Sequence, residues 1–170
     1  MFRRDPLADP EPLIKRVYAY AAYRLGDGPD AEDVTSETFE RALRYRKSYD
    51  PRKGEPVAWL LGIAKRVVDG GWSNTEFATE DVDFVDATDL EEEAIRRLTL
   101  ARAVESLDER DRELIALRYG ADLTARQIAE LLDVRTNAIE VALHRALGRL
   151  RGILGGDEDA EPVRKRGASR

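Results

Sequence analysis

Apolar residues return every three to four positions through most of the chain, and the breaks fall at Gly, Pro and acidic clusters. From about Glu11 to Leu25, the residues Leu13, Ile14, Val17, Tyr18, Ala21 and Leu25 form one helical face. Gly26-Asp27-Gly28-Pro29 ends that helix, and Asp30 is placed to cap the next, with Asp33 adding charge near the positive end of its dipole. This second helix directs Val34, Phe39, Ala42 and Leu43 inward. A polar, basic loop from Lys47 to Gly54 follows. A third helix opens near Pro56, a residue suited to a first turn, and carries Trp59, Leu60, Ile63, Ala64 and Val67 up to Gly70-Gly71.

The pattern resumes at Ala94. Ile95, Leu98, Ala101, Val104 and Leu107 predict a helix to Ser106, and Leu114, Ile115 and Leu117 predict another over 108–119, with Gly120 as its C-terminal cap. Thr124 is placed to cap a short helix, Ala125 to Leu132. After a turn at Asp133-Val134-Arg135, Thr136 is placed to cap a last helix holding Ile139, Leu143, Ala146, Leu147 and Leu150. No internal repeat and no strand-like alternation occurs. The fold expected is all-α: a helical domain over 11–70, an acidic linker over 71–93, a second helical domain over 94–154 and a disordered tail over 155–170.

The chain has 170 residues, of which 42% are hydrophobic and 36% charged, a globular composition. It has no Cys and one His, which excludes disulfides and thiolate metal sites and leaves no plausible zinc set. It has no apolar run of membrane-spanning length, and its N-terminus lacks a signal-peptide core, so no membrane association and a cytoplasmic location are expected. With no phosphate-binding Gly loop, nucleophile–base pair or metal cluster, neither enzyme activity nor a cofactor nor a small-molecule substrate is expected. The net charge of −6 argues against nucleic-acid binding until its distribution is seen. No Lys or Arg occurs between Ser73 and Ile95, where Glu76, Glu80, Asp81, Asp83, Asp86, Asp89, Glu91, Glu92 and Glu93 collect. Without that stretch the balance is close to neutral or slightly basic, and on composition the stretch reads as a solvated linker.

The last two helices have the spacing of a helix-turn-helix, with small Ala129 where the helices must approach and Val134 in the turn. In that motif the N-terminal end of the second helix reaches base edges, here Arg135, Thr136 and Asn137, and Arg145, Arg149 and Arg151 lie further along toward phosphates. An ordinary helical hairpin is the competing reading of the same spacing.

The chain resembles the extracytoplasmic-function sigma factors of bacterial RNA polymerase. Val17-Tyr18-Ala19-Tyr20-Ala21, Arg24-Leu25-Gly26-Asp27, Asp30-Ala31-Glu32-Asp33-Val34 and Glu37-Thr38-Phe39 look like their polymerase-binding part. Tyr49-Asp50-Pro51 with Ala58-Trp59-Leu60-Leu61-Gly62-Ile63-Ala64 looks like the part that melts and reads the −10 element. The run Glu109 to Tyr119, with Ile128-Ala129-Glu130 and Leu143-His144-Arg145-Ala146-Leu147, looks like the −35-binding domain. The pieces fall in family order over residues 11 to 151.

The resemblance implies a sigma-2-like domain, a linker and a sigma-4-like domain, with core RNA polymerase, promoter DNA and an anti-sigma factor as partners. It places Asp33, Glu37 and Arg41 on the clamp coiled coil of polymerase, a charged face suited to a partner helix, whereas the residues alone read as a solvated face. It makes Tyr49, Lys53, Trp59, Lys65 and Arg66 the −10 reader, since captured bases want aromatic faces and a basic groove. Trp59 reads equally as a core anchor. It makes Arg135, Thr136, Asn137, His144, Arg145 and Arg149 the −35 reader, although His144 alone reads as a helix-face residue. It also sends the acidic linker through basic polymerase channels as a stand-in for RNA.

The chain departs from the family pattern at several positions. Ser36 stands where Gln is frequent, and Arg66 where Asn is usual. Asp69 comes early, and Gly70-Gly71-Trp72-Ser73 replaces a basic helix end. Glu140 and Ala142 occupy commonly basic positions of the recognition helix, where Glu140 either accepts from a cytosine amino group or faces solvent. Two other functions remain open at this point: a stand-alone helix-turn-helix regulator, and a degenerate sigma that titrates an anti-sigma factor.

Overall fold

A computed structural model describes residues 5–70 and 89–156. Among these residues the regular structure is helical throughout: α1 (Pro10–Leu25), α2 (Pro29–Arg44), a 3-10 turn (Arg46–Ser48), α3 (Pro56–Asp69), α4 (Asp89–Glu105), α5 (Glu109–Ile115), a π-helical turn (Ala116–Gly120), α6 (Ala125–Leu132) and α7 (Thr136–Gly156).

Prolines set the starts of α1, α2 and α3, since the locked φ suits a first turn and the missing N–H has no intrahelical partner there. At α2 this displaces the cap expected at Asp30. The helix already begins at Pro29, with Gly28 before it, and Asp30 lies in the first turn. At α6 the expectation holds: Thr124 caps, and its backbone N–H donates to Gln127 Oε1 at 2.9 Å while Thr124 Oγ1 accepts from the Gln127 N–H at 3.2 Å. Asp133 then takes the left-handed conformation (φ 56°), one that Asp tolerates, and turns the chain into α7. Thr136 is the first residue of α7 and not its cap; the carbonyl of Arg135 accepts the first helical bonds, from Ala138 and Ile139.

Helix α2 corrects the expected inward face. Val34 and Ala42 are buried, but Leu43 is 61% exposed, and Ala31, Thr35 and Thr38 are buried instead. The threonines qualify because each hydroxyl donates to the carbonyl one turn back, Thr35 to Ala31 and Thr38 to Val34, both at 2.7 Å, so no polar atom is stranded.

Helix α4 starts five residues before the expected domain boundary. Glu91, Glu92 and Glu93 therefore stand on a helix, where Glu92 pairs with Arg96 and Glu93 with Arg97 one turn on. Its N-terminal half is solvent-facing, with Ile95 56% exposed, and its C-terminal half packs through Ala103 and Val104. Helix α7 runs to Gly156, so the first two residues of the expected tail are helical. Residues 71–88 and 157–170, on which most of the acidic-linker and tail expectations fall, lie outside the described residues.

The two helical segments are not separate bodies. One continuous core includes Val17, Tyr20, Ala21, Leu60 and Leu61 from the first and Leu114, Leu117, Leu123, Ile128 and Ile139 from the second. A smaller core, formed mainly within the second segment, joins α4, α5 and α7 through Ala103, Val104, Leu107, Ile115, Ala146 and Leu150. The junction is made mainly by α1 against the π-helical turn. That turn carries a backbone bond from the Ala121 N–H to the Ala116 carbonyl at 2.9 Å, and its widened backbone presents Gly120 to α1. A Cβ at Gly120 would stand 2.9 Å from the Ala19 carbonyl oxygen, so Gly here serves a backbone-to-backbone approach rather than the expected helix cap.

Candidate nucleic-acid and polymerase interfaces

Three surfaces hold the residues singled out in the sequence. On α2, Asp33 is exposed, and Glu37 and Arg41 are half-buried and paired with each other at 2.5 Å. Exposed Leu43 and Tyr45 lie beyond them at the end of the same helix. The solvent-exposed part of α2 thus carries apolar area as well as charge, and Leu43 was missed because it fitted the helical period of a buried face.

The loop after α2 is built on Tyr49, which is buried. Its hydroxyl donates to the Gly54 carbonyl at 3.0 Å, and its ring lies 5.5 Å from that of half-buried Trp59. Burial pushes the Tyr49 phenol upward in pKa, with Glu55 and Asp50 adding to it. Asp50 receives three hydrogen bonds at 3.1 Å from Arg52, which hold its carboxyl below the usual range. Lys53 is exposed. In this conformation Tyr49 offers no face to a base: it anchors the loop that presents Lys53. On α3, Lys65 pairs with Asp69 one turn on, and Arg66 is exposed.

On the helix-turn-helix, Arg135, Thr136, Asn137, His144 and Arg145 are all exposed. They lie opposite Ile139, Leu143, Ala146 and Leu150, which bury the inner face of α7. Val141 is 43% exposed and stands one turn from both Asn137 and Arg145, an apolar position on the outer face that carries no charge to mark it in the sequence. Arg149 differs from its neighbours: its guanidinium makes a bidentate pair with the buried carboxylate of Asp111, joining α7 to α5. That pair raises the Arg149 pKa, while the side chain itself stays 53% exposed.

The first and second segments meet across a cleft of about 670 Å³, lined by Arg24, Lys65 and Asp69 on one side and by Glu109, Glu113, Val134 and Ala138 on the other. Below it, α6 packs on α3: Leu131 lies 3.6 Å from where a Cβ of Gly62 would stand, and Gln127 Nε2 donates to Glu55 Oε2 at 3.4 Å.

Sigma-70 region 2 matches residues 11–69, and Sigma-70, region 4 matches residues 97–150. The ECF RNA polymerase sigma factor SigK of Mycobacterium ulcerans is 32% identical over 151 residues, covering 82% of this chain and 80% of the relative. The chain belongs to the extracytoplasmic-function sigma factors. This family consists of transcription initiation factors, and the sigma-2 and sigma-4 regions fall on the two helical segments described above. The ECF sigma factor BldN of Streptomyces coelicolor is 31% identical over 150 residues, and the chain spans 57% of its length.

Two solved structures share the fold. The sigma factor RpoE, in complex with the anti-sigma factor NepR from Bartonella quintana, aligns with TM-score 0.63 at 20% identity over 85% of this chain and 93% of that one. CnrH, in complex with the cytosolic domain of CnrY, aligns with TM-score 0.61 at 21% identity over 86% and 82%. Among the described residues, no helix is long and apolar enough to cross a membrane.

Proposed function

We propose that this sigma factor acts in the cytoplasm, binds core RNA polymerase through the outer face of α2, and reads the −10 and −35 elements with α3 and its preceding loop and with α7. The observation that carries this reading is the match of both sigma regions in family order. The open outer face of the recognition helix supports it. The stand-alone regulator accounts for neither the sigma-2 region nor the α2 face. An anti-sigma factor is a further partner on this reading, by analogy with the RpoE–NepR pair. Run-off transcription with purified core polymerase on genomic promoter fragments is the test. Specific transcripts that depend on this protein support the reading, and their absence with core bound supports the degenerate sigma.

Docking on polymerase rests on Asp33, Glu37 and Arg41. Reversing Asp33 and Glu37 to Lys together should weaken co-purification with core and leave helicity by circular dichroism intact, since Asp33 is exposed and Glu37 pairs only along its own helix. Undiminished co-purification would count against this face.

For the −35 element, Arg135 and Asn137 are assigned to base edges, Val141 to a thymine methyl, and His144 and Arg145 to phosphates. Asn137→Ala should change base preference at one position by about 1–3 kcal/mol. Val141→Ser should relax preference for thymine, and Arg145→Ala should weaken binding to all sequences alike and flatten the salt dependence. Selection from randomised −35 duplexes measures all three. Unchanged preferences in the Asn137 and Val141 variants would mean that α7 is oriented differently.

A further inference from the structure

The recognition helix carries one charged residue that has no part in the base and phosphate contacts proposed above. Glu140 is the one carboxylate in α7, whose other ionisable residues are His144, Arg145, Arg149 and Arg151. A carboxylate on a helix that enters a duplex is unfavourable in general, since phosphates flank the groove on both sides. Two ordinary uses of an exposed glutamate are not met here. The first is an ion pair along the helix. Glu92, Glu93 and Glu130 each pair with an arginine four positions away. The positions four away from Glu140 hold Thr136 and His144, and among the described residues no ion pair includes it. The second use is a contact with the rest of the protein. Helix α7 turns Ala138 and Ala142 toward the cleft, and Glu140 is two positions from each. Two positions are about 200° round a helix of 3.6 residues per turn, so Glu140 points away from the cleft. Its side chain is exposed, as are those of Asn137, Val141 and His144 on the outward side.

In a major groove an acceptor-only side chain selects by what it cannot tolerate as well as by what it can bind. Guanine presents N7 and O6, and thymine presents O4 and a methyl group, so neither offers a carboxylate a donor. Adenine presents an N6 amino donor beside the N7 acceptor, which is half a match. Cytosine presents its N4 amino donor alone. A glutamate therefore supplies both the attractive and the repulsive half of a preference for cytosine. Its place on the helix fits this use. Base contacts come from the N-terminal part of a recognition helix, where Asn137 stands. Glu140 is three residues further on, about 4.5 Å along the axis, or little more than one base step of about 3.4 Å. Asn137 and Glu140 are thus spaced for neighbouring base pairs.

We infer that Glu140 is a specificity-determining residue of the −35 reader, accepting from the N4 amino group of a cytosine next to the base read by Asn137 and rejecting guanine and thymine there. The inference rests on the reading of α7 as the −35 recognition helix. It accounts for an acidic residue in a helix otherwise basic: the charge lowers affinity for duplex in general and gives discrimination at one base pair.

Selection from promoters with a randomised −35 element tests the contact, with the full chain bound to core polymerase. The parent protein should enrich cytosine at one position by about 5- to 150-fold over guanine or thymine. Glu140→Gln keeps the size of the side chain, and an amide matches adenine N6 and N7, so the preference at that position should move toward adenine. Glu140→Lys should move it toward guanine, whose O6 and N7 both accept. The other positions should keep their preferences in both variants, and helicity by circular dichroism should be unchanged, since Glu140 is exposed. A uniform rise in affinity for all sequences, with base preference unmoved, would mean that Glu140 meets only solvent or phosphates and would overturn the inference. Asn137→Ala, run beside these variants, separates this inference from the reading it rests on. A changed preference in Asn137→Ala with none in the Glu140 variants overturns the cytosine contact and leaves α7 as the −35 reader. No change in any of the three means that α7 does not read the −35 bases, and both fall.

Discussion

Core RNA polymerase is expected to raise the affinity of this protein for a promoter carrying both elements by about 10²–10⁴-fold, the usual gain when a second binding event becomes intramolecular. The free protein starts from a poor position. Its net charge is −6, and affinity for duplex grows with the number of phosphates neutralised. Arg149 pairs with Asp111 and Lys65 with Asp69, which places a carboxylate beside two of its cations. Gln127 and Leu131 of α6 line the same recess as Trp59 of α3. On the function proposed above, polymerase would supply what is missing by fixing the separation between the two DNA-binding helices. Anisotropy titrations on a cognate promoter, with and without core at near-physiological salt, measure the gain. Tight sequence-specific binding by the free protein would revive the stand-alone regulator.

The helices were legible because each carries its signal locally. Pro56, the Thr124 to Gln127 capping box and the run Leu114, Ile115, Leu117 could be read without knowing what surrounds them. The exposed outer face of α7 followed from the same periodicity. What was not legible is the junction. Hydrophobic periodicity assigns one inner face to α1, yet α1 is buried against α2 and α3 on one side and the π-helical turn on another. The second face is written in Arg16, Tyr20 and Arg24, residues that ordinarily mark a surface. Their spacing of one turn was available as a signal. Its meaning was not, because the partner, Glu113, lies 89 positions on from Arg24 and inside a run that already fitted a sigma-4 helix. The burial of Tyr49 was not legible for a related reason. An aromatic in a basic loop suits base capture, but here its hydroxyl closes the loop on Gly54 and its ring is buried with Trp59.

Truncating Leu117 is expected to cost about 2–5 kcal/mol, the range for deleting a well-packed leucine from a core. Leu117 is fully buried in the π-helical turn and belongs to the core that runs through both segments. Its loss leaves a cavity between α1 and the sigma-4 helices, where neither side can collapse without disturbing Gly120 against Ala19. At a few degrees per kcal/mol for a chain of this size, the thermal midpoint should fall by about 5–15 °C. The distribution of the loss is the more telling part. If the two segments share one core, Leu117→Ala should speed amide exchange in α1 as well as in α5 to α7. Leu150→Ala, in the smaller core, should act mainly on α4, α5 and α7. Exchange in α1 unchanged by Leu117→Ala would mean that the segments already open independently of each other.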